Sequence, residues 1–191
     1  MKLKGKRIGY VLTGSFCTFS KTIPVIKELV KNGAEVIPIM SYNSYNLDTK
    51  FGKAQDFIKE IEEITGKKII HTIQEAEPIG PKKITDIMVI GPCSGNTISK
   101  LAYDIIDTPA TMAAKSHLRN NKPLVIAVST NNGLGANAES IGRLLYRRNY
   151  YFVPFKQDNP ITKPRSIVAD FNMIIKTIEF ALEGEQISPI I

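Results

Sequence analysis

The sequence predicts one α/β domain, a doubly wound parallel sheet in the middle of three layers. Three observations carry this expectation. "RIGYVLTG", "ITDIMVIG" and "KPLVIAVS" are apolar runs of strand length, as expected of strands buried on both faces. Segments of helical period separate them. Gly, Pro, Ser, Thr and Asn gather at the joints. Buried strands alternating with helices imply a parallel sheet covered by helices on both sides. No repeat, low-complexity stretch or linker interrupts the pattern, so residues 1–191 are expected to form a single domain.

Each element follows from its residues. After the first strand, "FSKTIPVIKELVKNG" reads as a helix, with Ser20 or Thr22 as cap, Pro24 in the first turn and Gly33 as stop. "AEVIPIM" is the second strand. Its Pro38 lacks an N–H and so favours a sheet edge. "SYNSYNLD" reads as a loop, and "KFGKAQDFIKEIEEITG" as an amphipathic helix stopped by Gly66. "KKIIHTI" reads as a short strand and "QEAEPIGPKK" as a loop. "ITDIMVIG" is the clearest buried strand. "NTISKLAYDII" and "TPATMAAKSHLRNN" follow as helices, the second opened by Thr108 and Pro109. After "KPLVIAVS" come a helix in "NAESIGRLLYRRN", a last strand in "YYFVPF" and a polar loop in "KQDNPITKPRS". The final helix, "DFNMIIKTIEFALEG", is capped by Asp170 and ends at Gly184.

Composition narrows the function. The hydrophobic fraction is 43%, ordinary for a globular chain, and no apolar run approaches the roughly 20 residues of a membrane span. The basic start "MKLKGKRIGYVLTG" breaks at Gly14 without a cleavage pattern, so it reads as a strand rather than a signal peptide, and a cytoplasmic protein is expected. Cys17 and Cys93 have no metal-ligand spacing with each other, His71 or His117, so no metal site is expected. The net charge of +7 is dispersed over Lys2, Lys4, Lys6 and Arg7, Lys67 and Lys68, Lys82 and Lys83, and Arg147 and Arg148. No basic stripe interleaved with aromatics suits nucleic acid; a solvated surface that attracts an anionic substrate fits better.

In doubly wound sheets ligands bind beyond the carboxyl ends of the strands. The loops there are "TGSFCTFS", "SYNSYN", "EAEPIG", "GPCSGNT" and "STNNGLGAN", all rich in small residues and hydroxyl or amide groups. The first offers Gly14, Ser15, Thr18 and Ser20 near a helix start, where N–H groups favour an anion. It is neither a dinucleotide fingerprint nor a P-loop. In the fourth, Gly91 and Gly95 let the backbone approach a ligand, and one of Ser94, Asn96 and Thr97 can cap a helix while the others bind. Cys93 could be a nucleophile only with a lowered pKa, and no base stands beside it in sequence. His71 and His117 read as structural or surface residues.

"TGSFCTFSKTIPVIKELVKNGAEVIPIMS", "DIMVIGPCSGNTISKLAYDIIDTP" and "KPLVIAVSTNN" resemble the flavoprotein family that includes phosphopantothenoylcysteine decarboxylases and flavin prenyltransferases. The resemblance implies a Rossmann-like flavoprotein fold and bound FMN. It assigns FMN contacts to Gly14, Ser15, Ser41, Ser94, Gly95, Asn96, Thr97, Asp107 and Ser129. The phosphate would lie at Gly14 and Ser15, and the ring near Asn96 and residues 129–132, with Asn96 as the catalytic candidate. It also implies a homo-oligomer, a trimer or a multiple of one.

A longer likeness, from "EAEPIGPKKITDIMVI" through "VSTNNGLGAN" and "YFVPFKQDNPITKP" to "RSIVADF", links the chain to the B subunits of a two-chain oxidoreductase of that family. It implies an A subunit carrying NADP, a small dicarboxylate substrate and work in the mother-cell cytoplasm during sporulation. Lys156 is the candidate cation for the substrate, and Lys53 a weaker one. Two departures separate the chain from the decarboxylases. Their catalytic His falls on Pro78, and their Ala-Met-Asn segment is Ser129-Thr130-Asn131-Asn132. A flavin-dependent decarboxylase or prenyltransferase, and a non-catalytic partner subunit, remain the alternatives.

Overall fold

Ile8, Tyr10, Val11 and Leu12 have no exposed surface, which is what a strand between two helical layers requires. They form β1, Arg7–Leu12. The computed structural model describes residues 3–191; Met1 and Lys2, the first of the dispersed basic residues, lie outside the described residues. The other parallel strands are β2, Glu35–Met40, β3, Ile87–Cys93, β4, Leu124–Thr130, and β5, Tyr150–Phe152. Their spatial order is 2-1-3-4-5, every neighbouring pair parallel. The switch point between β1 and β3 therefore opens at the carboxyl ends of the strands.

The helices cover both faces. On one side α1, Phe19–Lys31, α3, Ala54–Thr65, and α8, Ile174–Leu182, pack around Phe19, Ile26, Ile61, Ile174 and Ile178. On the other, α4, Ile73–Ala76, α5, Gly95–Ala102, α6, Pro109–Leu118, and α7, Asn137–Leu145, pack around Ile90, Ile98, Ala113, Ile126 and Leu144. Each fully buried Ile or Phe contributes roughly 1.5–3 kcal/mol, so the two clusters dominate the folding energy. A short helix α2, Tyr42–Asn46, lies beyond β2.

Several expectations hold. Pro38 is in the sheet-edge strand, and Gly33, Gly66 and Gly184 take positive φ beyond their helices. Thr108 forms a capping box with Thr111. Ser94, of the three candidates, caps α5, and Asp170 caps the turn that leads into α8.

Others are corrected. A turn of 3-10 helix, Phe16–Thr18, precedes α1, so Ser20, Thr22 and Pro24 lie inside the helix. Buried Thr22 instead donates to the Gly91 carbonyl at 2.9 Å. "KKIIHTI" contributes only a bridge at Ile70, and α2 and α4 occupy stretches whose composition suggests loops. The sheet is not wholly parallel. "YYFVPF" breaks at Pro154, and the expected polar loop after it forms a hairpin of β6, Phe155–Asn159, and β7, Lys163–Ala169. β7 pairs antiparallel with Ser129 and Thr130, above the point where β5 leaves β4.

Single positions on the sheet's margins are occupied. Beside β2, Ile70 donates to Pro38 and accepts from Met40. Beside β5, the Gln186 side-chain amide both accepts from and donates to the backbone of Phe152, at 2.7 and 2.8 Å. At β6, Phe155 donates to Ile190.

Candidate functional site

Three loops meet at the carboxyl ends of β1, β3 and β4, and buried hydroxyls tie them together. Thr13 has no exposed surface; its hydroxyl donates to the Pro92 carbonyl at 2.8 Å and accepts from the Ser94 N–H at 2.9 Å. Ser15 donates to the Ser129 carbonyl at 2.7 Å. Asn137, the first residue of α7, accepts from Thr130 and donates to the Gly95 carbonyl and the Ser99 hydroxyl. Each bond is within normal range and spares a buried polar group from being orphaned. The sequence signalled neither Thr13 nor Asn137 in these roles.

The glycines serve the protein's own packing. A Cβ on Gly95 would collide with the Asn137 amide and the Thr130 hydroxyl, and one on Gly91 with the Tyr10 hydroxyl. The space beside each missing side chain is thus filled by this chain's own side chains; Gly95 still lines the cleft, whereas Gly91 does not.

These loops and the β6–β7 hairpin enclose a cleft of about 890 Å³. That lies within the usual range for a small-molecule or cofactor site. Gly14, Ser15, Ser94, Gly95, Asn96, Ser99 and Ser129–Asn132 form its polar wall. Phe16, Phe51, Ile167 and Val168 supply apolar surface. Lys21, Lys50, Lys163 and Asp158 are its charged residues. Lys163 lies 2.8 Å from Asp158 and holds that carboxyl below its usual range. Asn96 is exposed, and no hydrogen bond of its side chain is found among the described residues, so its amide is available to a ligand.

Of the residues singled out from sequence, the cleft brings together Gly14, Ser15, Ser94, Gly95, Asn96 and Ser129. Thr97 lies just behind, buried, with its hydroxyl 3.1 Å from that of Ser94. Four candidates are elsewhere. Ser41 is buried and caps α2 through the Ser44 N–H and hydroxyl. Asp107 is on the surface, bound by Lys100 at 2.8 Å through both carboxylate oxygens. Lys156 and Lys53 are exposed and do not line the cleft. The cations that do line it, Lys21, Lys50 and Lys163, escape sequence reasoning because nothing in their local sequence sets them apart from other surface lysines.

Cys93 is fully buried, and burial pushes its thiol well above the usual range. That removes it as a nucleophile. His117 is buried between the Thr85 hydroxyl, at 2.8 Å, and the Pro123 carbonyl, at 2.9 Å, a structural setting. Its pKa is held down to about 4, first by burial. His71 stacks on Tyr45 with ring centroids 3.8 Å apart. Pro78 sits in a 3-10 turn, Glu77–Ile79, whose flanks are fixed to α6 by Ser116. Among the described residues no three His, Cys, Asp or Glu side chains converge as a metal site, and no helix is long and apolar enough to cross a membrane.

Comparison with known proteins finds relatives that share this fold. The profile of the family described as Flavoprotein matches residues 1–154. The B subunit of dipicolinate synthase from Bacillus subtilis (strain 168) is 48% identical over 189 residues, 99% of this chain and 94% of that one. The crystal structure of the corresponding B subunit from Bacillus halodurans C superposes with a TM-score of 0.91 at 45% identity, covering 100% of this chain and 97% of the other. The FMN complex of Burkholderia xenovorans DmrB shares the fold alone, with a TM-score of 0.69 and 14% identity over 93% of this chain and 96% of that one.

Proposed function

The chain belongs to the flavoprotein family, and from that premise we propose that it acts as the B subunit of a dipicolinate synthase. One observation carries the reading. The family profile stops at residue 154, whereas the likeness to the dipicolinate synthase B subunit of Bacillus subtilis covers 99% of the chain, through the hairpin that closes the cleft. The likeness thus extends beyond the family profile to the hairpin that lines the cleft.

In this role the chain works with an NADP-carrying A subunit in the mother-cell cytoplasm during sporulation. Together they oxidise a partly reduced cyclic dicarboxylate of the tetrahydrodipicolinate type to pyridine-2,6-dicarboxylate. The residues of the cleft fit FMN. Gly14, Ser15 and the start of α1 suit its phosphate. Asn96 and Thr130–Asn132 suit the polar edge of its ring, and Phe16 and Phe51 its flat apolar faces. Bound flavin would supply a planar redox centre able to accept a hydride. Asn96, the exposed amide on the rim, orients the reacting ring. A homo-oligomer, a trimer or a multiple of one, accords with the apolar side chains left exposed near Asp107, Tyr103 and Ile105 among them. The decarboxylase alternative is weakened because Pro78 supplies no imidazole and packs beside α6.

The test is reconstitution. Dipicolinate should form when this chain and its A subunit are mixed, and full activity from the A subunit alone would refute a catalytic part for this chain. Titrated FMN should lose fluorescence on binding, and Asn96→Ala should weaken binding or turnover. A chain that leaves flavin fluorescence unchanged sinks the flavin assignment.

A further inference from the structure

The outer wall of the cleft carries a cluster of charged side chains. Lys163 Nζ lies 2.8 Å from Asp158 Oδ2. The Ser166 hydroxyl lies 3.4 Å from the same oxygen and 3.4 Å from Asn131 Oδ1. Lys21, on α1, faces this group, and its charge acts on Asp158 as well. Lys50 lines the same cleft. Three lysines against one aspartate leave an excess of two positive charges on the lining, which suits an anionic ligand.

We propose that Lys163, with Lys21 facing it, receives a carboxylate of the dicarboxylate substrate, and that Asp158 holds that place until the substrate arrives. The proposal rests on the dipicolinate synthase reading and assigns it substrate-positioning residues. Three features support it. The Lys163 and Asp158 side chains are 52% and 34% exposed, so their pairing contributes little and one carboxylate can replace another at small cost. An ammonium is a compact charge with three rotatable donors, so it exchanges acceptors without reorienting a planar group. Both residues stand at the end of a hairpin whose pairing to β4 lies further down, at Ile167 and Val168, so the exchange disrupts no sheet bond. Once substrate covers the cleft, the new pair is shielded from water and strengthens.

The experiment compares Lys163→Gln, Lys21→Gln and Asp158→Asn, each assembled with the A subunit, and measures KM and kcat for dipicolinate formation together with FMN affinity by fluorescence. Lys163→Gln should raise KM about tenfold with kcat changed less than about threefold, the signature of lost uniform binding. Lys21→Gln should do the same to a smaller extent. Asp158→Asn should lower KM, because the competing carboxylate is gone. FMN affinity should stay unchanged in all three. An unaltered KM in Lys163→Gln overturns the proposal. So does an Asp158→Asn variant whose KM rises like that of Lys163→Gln, which would make the pair purely structural. A loss of FMN affinity at constant KM would assign the lysines to the flavin phosphate instead. Should the unaltered chain form no dipicolinate with its A subunit, the functional reading itself fails. Calorimetric titration of pyridine-2,6-dicarboxylate into the full chain then decides the site: binding weakened by Lys163→Gln supports it, and binding that is absent or unaffected overturns it.

Discussion

The inner wall of the cleft is stitched by buried or half-buried hydroxyls and amides: Thr13 to Pro92 and Ser94, Ser15 to Ser129, and Asn137 to Thr130, Gly95 and Ser99. The outer wall joins β4 through Ser129 and Thr130 and the loop beyond it through Leu134 and Arg165, and its charges, Asp158 and Lys163, face water. In low dielectric a polar group must keep its partner, so the inner wall holds a fixed geometry. In water ion pairs exchange readily, so the outer wall can trade one anion for another. On the proposed function, this contrast would separate placing a ring from admitting a substrate.

The largest expected effect lies at the inner wall. Thr13→Val keeps the shape of the side chain but leaves the Pro92 carbonyl and the Ser94 N–H without partners. Two such losses cost roughly 2–5 kcal/mol, read as a lower midpoint in urea unfolding. A variant as stable as the parent would show that the stitching does not hold the wall.

The next lies at the opposite end of the same strands. Folding lowers the His117 pKa from 6.5 to about 4. Between those values the unfolded chain binds a proton that the folded chain refuses, so stability falls as pH drops through this window and is regained as pH rises. The loss is on the order of 3 kcal/mol by pH 4. Urea unfolding at about pH 7 and about pH 4.5 should show it, and His117→Gln should flatten the slope. An equal slope in the variant would place the titration elsewhere.

The smallest effect is on the outer wall. Lys163→Gln should change stability by less than about 1 kcal/mol, because an exposed pair contributes little. Thermal unfolding checks this, and a larger drop would mean the hairpin depends on its ion pair and is no exchangeable surface.

The inner wall is largely legible in sequence and the outer wall is not. "ITDIMVIG" and "KPLVIAVS" declare buried strands because both faces are apolar, and the small residues beyond them mark the ligand loops. "KQDNPITKPRS" looks like a loop because β6 is exposed and so lacks an apolar face. Pro164 also argues against a strand, yet it lies on β7 outside the stretch paired to β4, where no ladder N–H is missed. α4 does carry a signal, the Thr72–Glu75 capping box, in a segment whose prolines suggest a loop. Motif position assigns Ser41 and Asp107 to the flavin, but the structure uses one as a helix cap and the other in a surface ion pair. Thr13 and Asn137 are defined by partners far along the chain, which local pattern does not encode.

Gln186 guards an edge of the sheet. Its amide matches the backbone of Phe152 as a neighbouring strand would, while Ile70 does the same for β2 and Ile190 for the start of β6. Each is a decoy that uses up bonding positions on which a foreign chain could template itself. An extended segment of another chain therefore finds these backbone groups already bonded, and the sheet offers it less to copy.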